Sequence, residues 1–216
     1  PLLRERIRIR NPFVRQLIVS WVTLLDAVPD IDLLEFLPEF LGGLFAMLAD
    51  PNKDIRQQAY AALSGLLKRL SQAAAVDLAA MAPILVEHGS SADSFTRLTV
   101  LTWLAEFARM GPLQLLPLLP ALLRAVLPCL SDGEREIRAK ATKAHDLLLR
   151  AAEDSPQALA VEPLLLLLSQ QLLAQAVPVR LSALRWIAML LARAPAAILQ
   201  HLDHLFPALL RALHDA

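Results

Sequence analysis

Residues 36–70 read FLPEFLGGLFAMLADPNKDIRQQAYAALSGLLKRL, and this stretch decides the fold. Its first half is a leucine- and phenylalanine-rich segment that contains Pro38 and ends at the turn Asp50-Pro51-Asn52. Its second half starts at Ile55-Arg56 and places Ala59 and Leu63 three and seven residues after the arginine. Positions 0, +3 and +7 share one face of a helix, so Arg56 opens a helix with an apolar stripe behind it.

Outward from Arg56 the same arrangement recurs at Val14-Arg15, Thr96-Arg97, Ile137-Arg138 and Val179-Arg180, with arginines 41, 41, 41 and 42 residues apart. The +3 places hold Ile18, Ala59, Val100, Ala141 and Ala183, and the +7 places hold Val22, Leu63, Leu104, His145 and Ile187. A leucine-rich segment with one proline precedes each of the last four arginines, at Pro38, Pro83, Pro120 and Pro163, and Pro207 begins a further copy. The proline-to-arginine gaps are 18, 14, 18 and 17 residues, so the unit around Pro83 is expected to be shorter by about one helical turn. A ~41-residue unit of proline-bearing helix, short turn and arginine-led helix reads as a HEAT repeat. The expected fold is all-α, a HEAT-repeat α-solenoid of antiparallel helix pairs. It is parsed as one block, 1–216: a partial repeat 1–30, repeats 31–71, 72–111, 112–154 and 155–197, and a partial repeat 198–216. Both partial repeats are expected to continue in a longer scaffold and to leave apolar surface open.

Composition agrees. Of 216 residues, 50 are leucine and 35 alanine, both strong helix formers, against 25 valine, isoleucine and threonine together and 6 glycines. Sheets need β-branched strands and glycine-bearing turns, so a β protein is excluded. An apolar content of 56% excludes a disordered chain. The 21 basic and 21 acidic residues leave no basic footprint for nucleic acid. Cys129 is the sole cysteine, so neither an intrachain disulfide nor a cysteine-rich zinc site can form. The apolar tracts at 113–123 and 163–168 are interrupted before reaching the ~18 uninterrupted residues of a membrane span.

Candidate sites divide into structural and functional readings. Arg15, Arg56, Arg97, Arg138 and Arg180 are read as a structural ladder rather than a ligand-binding one, each bonding the acidic turn of its own or the neighbouring repeat. Asp50 and Asp132 lie six residues before Arg56 and Arg138, while Ser91 and Ala174 occupy the equivalent places elsewhere. Trp21, Trp103 and Trp186 each follow a repeat arginine by six residues, with Ala62 and Ala144 in that slot between them, and are read as core rather than as an aromatic cage. His201 and His204 lack a third placed ligand for zinc. Asp26, Asp30 and Asp32 could hold calcium, but Asp30 or Asp32 as the N-cap of a helix from Leu33 is the simpler reading. Gly42-Gly43 kinks a helix or permits close packing. Arg4, Arg6, Arg8, Arg10 and Arg15 form the one basic cluster that could meet anionic lipid, but the solvated end of a helix and its turn is the simpler reading. No GxSxG, phosphate loop or HExxH is present, so no enzyme and no cofactor are expected. The partner surface is expected along the arginine-led helices, with Gln57, Tyr60, Ser64 and Lys68 as its second-repeat members.

Residues 11–50, NPFVRQLIVSWVTLLDAVPDIDLLEFLPEFLGGLFAMLAD, resemble the HEAT-repeat vacuole-morphology scaffold family of the phosphatidylinositol 3-phosphate 5-kinase complex. MAPILVEH (81–88), AVLPCLSD (125–132), ALRWIAML (183–190) and HLDHLFPALLRALHDA (201–216) resemble it too. The resemblance implies a non-catalytic scaffold. Its partners would be the lipid kinase and the opposing lipid phosphatase, and the intact protein would self-associate. It would sit in the cytoplasm, peripheral on endosome and vacuole membranes, and control phosphatidylinositol 3,5-bisphosphate. A generic HEAT-repeat adaptor, of the phosphatase-scaffold or transport-receptor type, is the alternative.

Overall fold

A computed structural model describes residues 5–7, 9, 11–26, 28, 32–73, 76–155 and 159–214. Among these every regular element is helical and there is no strand. The chain divides into two compact units, residues 1–106 and 107–216.

In the first unit the arginine-led helices are α1 (Pro12–Asp26), α3 (Lys53–Leu70) and α5 (Ser94–Met110, which crosses the unit boundary), and the proline-bearing ones are α2 (Leu37–Met47) and α4 (Leu78–Gly89). Helix α2 folds back on α3 as an antiparallel pair. Its successor α4 packs beside α2, and α1 packs beside α3, so the helices lie in two rows. Local chemistry sets the ends. Asn52 caps α3 by accepting from the Asp54 N–H at 2.8 Å, and Lys68 and Arg69 lie in the last turn, where the helix dipole favours cations. Asp77 caps α4 from the Ala80 N–H at 3.0 Å, and Asp93 accepts from both the backbone N–H and the hydroxyl of Thr96. The core of α2 is Leu37, Phe40, Leu41, Leu44, Phe45 and Met47, and it faces Ile55, Ala59, Leu63 and Leu66 of α3.

In the second unit the proline-bearing row holds α6 (Pro112–Leu115) and α7 (Leu119–Val126) with their 3-10 turns, then α9 (Val161–Gln171) and α12 (Leu202–His214). The arginine-led row holds α8 (Arg135–Asp154) and α10 (Val177–Arg193), and α11 (Pro195–Gln200) joins α10 to α12. Helix α7 packs on α8 and α9, α9 on α10 and α12. Both units are stacked HEAT-type pairs.

Three expectations change. Helix α2 begins at Leu37, not Leu33, because residues 33–36 form a turn in which Asp32 accepts from the Leu34 N–H at 3.0 Å. Helix α4 is not short: it has 12 residues against 11 in α2. The small gap at Pro83 arises because that proline lies inside α4, whereas Pro38 sits in the first turn of α2. Residues 112–131, finally, reach a mean hydropathy of 1.8 over an 18-residue window, long and apolar enough by composition to cross a membrane. They are instead divided by 3-10 turns and packed in the second unit, with Leu115, Leu119, Leu122, Leu123 and Val126 buried and Arg124 exposed.

Candidate functional site

The repeat arginines act on backbone carbonyls. Arg56 donates through Nη1 to the carbonyls of Asp50 (2.7 Å) and Pro51 (3.0 Å), Arg97 to Ser91 (2.9 Å) and Ala92 (3.0 Å). Arg138 does the same to Asp132 (2.7 Å) and Gly133 (2.9 Å), and Arg180 to Ala174 and Gln175, both at 2.9 Å. Each guanidinium thus clamps the loop that leads into its own helix. In each case the partner is the turn before the arginine's own helix, met at its main chain rather than at an acidic side chain. The acceptor is the main chain, so Ser91 and Ala174 serve as well as an aspartate. Arg15 makes a side-chain link to a neighbouring unit, an ion pair with Asp50, while its Nε donates to the Ile9 carbonyl at 3.0 Å. Asp50 is buried and joins two repeats. One carboxylate oxygen meets Arg15, the other accepts from the Asn52 N–H at 2.8 Å, and its carbonyl accepts from Arg56.

Every +3 and +7 side chain is buried, His145 among them. His145 accepts the Trp186 indole N–H on Nε2 at 3.1 Å and donates from Nδ1 to Asp146 Oδ1 at 3.0 Å. An indole can only donate, so the ring is the neutral tautomer with its proton on Nδ1. Burial holds the His145 pKa below the ordinary imidazole value, outweighing the hydrogen bond and charge of Asp146, and Arg185 pushes the same way as burial. Asp146 also accepts from Arg185 at 3.2 Å. His88, stacked on Phe45 at 5.7 Å, is likewise lowered by burial, against the charge of Glu87 and a backbone hydrogen bond with Gly42.

Of the three tryptophans, Trp103 is 1% exposed and Trp186 0%, but Trp21 is 43% exposed. The core assignment of Trp21 is corrected. The slot faces backward along the chain: Trp103 lies edge-on to Phe45 at 5.6 Å and Trp186 bonds His145, each partner in the preceding unit. Within the described residues Trp21 has no preceding unit to enter. Gly43 permits close packing, since a methyl there would overlap Ile7.

Gln57, Tyr60, Ser64 and Lys68 are all exposed on α3, and the Tyr60 ring lies against Phe95 at 4.9 Å. A cavity of about 560 Å³ between α9 and α12 is lined by Leu165, Leu173 and Pro207 with Glu162, His201 and Arg211. Sequence periodicity did not point to it, since these residues come from two helices whose separation is a tertiary property. Nor did it find Arg193, which donates to the carbonyls of Ala152 and Ser155 at the end of α8. No group of three or more histidine, cysteine or acidic residues that could hold a metal lies together among the described residues. Of the basic N-terminal cluster, Arg4, Arg8 and Arg10 lie outside the described residues, as do Asp30 and the side chains of Asp26 and His204.

The profile of the family described as EF3 N-terminal HEAT repeat matches residues 33–145, more than half of the chain. The chain belongs to the HEAT-repeat family. This HEAT-repeat chain is 43% identical over all 216 of its residues to the Arabidopsis thaliana protein named VAC14 homolog, covering 29% of that relative. Against the Schizosaccharomyces pombe VAC14 homolog the identity is 23%, over 100% of this chain and 35% of that one. Over 72 residues, 33% of this chain and 8% of the relative, it is 40% identical to the Saccharomyces cerevisiae vacuole morphology and inheritance protein 14. The resemblance to the vacuole-morphology family therefore holds along the chain, which spans about a third or less of these relatives. Among solved structures, a designed armadillo repeat protein gives a TM-score of 0.45 at 18% identity, over 98% of this HEAT-repeat chain and 90% of that one.

Proposed function

We propose that the chain is a stretch of a non-catalytic scaffold that holds a phosphatidylinositol 3-phosphate 5-kinase beside its opposing lipid phosphatase, and so sets phosphatidylinositol 3,5-bisphosphate on endosomal and vacuolar membranes. The observation that carries this reading is the 43% identity, over an alignment of all 216 residues, to a protein named VAC14 homolog. The geometry suits the role. Clamped loops and buried stripes fix the spacing of successive helix pairs, while the outer faces of the arginine-led helices stay open to partners. Gln57, Tyr60, Ser64 and Lys68 are the proposed contact residues, and their shared exposure on α3 supports this.

The test is co-purification from the native host. The tagged full-length protein is expected to bring down both a lipid kinase and a lipid phosphatase. Replacing Tyr60 and Lys68 together by glutamate is expected to weaken recovery of at least one of them while the protein's helicity persists. Recovery of neither enzyme with the unaltered protein would sink the scaffold reading. Unchanged recovery with the altered one would move the contact off α3.

A further inference from the structure

Trp21 stands in the +6 slot that Trp103 and Trp186 fill, and both buried rings reach into the preceding unit, to Phe45 and to His145, the latter 41 residues earlier. On α1 this exposed indole is not alone. Phe13, Leu17, Trp21 and Leu24 follow one another at i, i+4, i+8 and i+11, a single helical stripe, and all four are exposed. The other side of α1 is already engaged, with Ile18, Val19 and Val22 buried and α3 packed beside it. Where a neighbour does lie behind the slot, as at Ala62 of α3, the side chain is buried. Four large apolar side chains in one row form the kind of patch that marks a contact surface.

We propose that the Phe13–Leu17–Trp21–Leu24 stripe is an inter-repeat face. Its occupant is the preceding helix pair of the same repeat class, contributed by the longer polypeptide, with a polar group that accepts from the Trp21 indole as His145 accepts from Trp186. The register chooses this occupant, since the same slot in two other units takes a neighbouring repeat and in one of them a hydrogen-bond acceptor. Length permits it, because the chain spans only 29% of its Arabidopsis relative. The inference is independent of the scaffold reading and would stand if no lipid enzyme bound.

Hydroxyl-radical footprinting with mass spectrometry reads the three tryptophans separately, in the dilute 216-residue chain and in the full-length polypeptide. In the 216-residue chain Trp21 is expected to oxidise faster than Trp103 and Trp186. In the full-length polypeptide its rate is expected to fall to theirs, at every dilution. Leu17→Glu places a charge in the contact and is expected to restore fast oxidation of Trp21 in the full-length polypeptide, with helicity unchanged in the 216-residue chain. A Trp21 that stays fast in the full-length polypeptide overturns the proposal. So does protection that is lost on dilution, which assigns the face to a second copy, and so does protection that survives Leu17→Glu.

Discussion

His145 fills a place that the other four units give to Val22, Leu63, Leu104 and Ile187, and its polarity matches that of Trp186 across the repeat interface. The indole N–H needs an acceptor in a dry site, and the neutral imidazole supplies one. Replacing Trp186 by phenylalanine leaves that acceptor unmet and is expected to cost about 1–3 kcal/mol. Combining it with His145→Leu is expected to recover much of the loss, a coupling that urea midpoints in a double-mutant cycle would measure. Simple addition of the two costs would show that the bond contributes nothing. The same residue predicts a pH dependence. His145 and His88 both titrate below their ordinary value of 6.5 in the folded chain, so below 6.5 the unfolded chain binds more protons. Their contribution is full above that value and is lost as the pH falls through the folded pKa values. Thermal unfolding followed from about pH 7.5 to about pH 5 is expected to show falling stability, with a shallower fall in His145→Leu. A rise in stability over that window would contradict the assignment.

At the scale of the element, what is repeated is an arginine and the two carbonyls it holds. The 41-residue spacing revealed the arginines, but not their acceptors, because a backbone carbonyl is present at every residue and leaves no trace in composition. Arg138→Ala is expected to cost about 2 kcal/mol, the order of hydrogen bonds made by a charged donor, and to raise amide exchange at the start of α8. Unchanged exchange there would show that the loop holds itself. Gly43 carries a second prediction. A methyl at that position meets Ile7, so Gly43→Ala is expected to displace the segment before α1 and to cost about 1–3 kcal/mol, as overpacking does. An unchanged melting temperature would show that Ile7 can move aside at no cost. Here the pair Gly42-Gly43 flagged close packing in the sequence, yet Ile7 as the approaching group could come only from the fold.

At the scale of the whole molecule, exposed apolar stripes set the behaviour. Among the described residues they include Phe13, Leu17, Trp21 and Leu24 on α1, and Val177, Leu181, Leu184 and Leu191 on α10. Apolar area left in water is unfavourable by about 25 cal/mol per Å², so the isolated 216-residue chain is expected to self-associate as its concentration rises. Light scattering over a concentration series measures this, and Leu17→Glu with Leu181→Glu is expected to reduce it. A chain that stays monomeric throughout would show that the stripes are too small to drive association. The sequence alone determined the all-α class, the two alternating kinds of helix and the buried +3 and +7 stripe. Each of these follows from composition or from a 3.6-residue period, both local properties of the chain. Only the tertiary structure decided that the arginines hold carbonyls, that Asp50 joins two repeats and that His145 pairs with Trp186. It alone placed Trp21 in the open while its two counterparts are buried. Those outcomes depend on which surface lies within a few ångströms of another, and identical slots diverge when, among the described residues, one has a neighbour and the other has none.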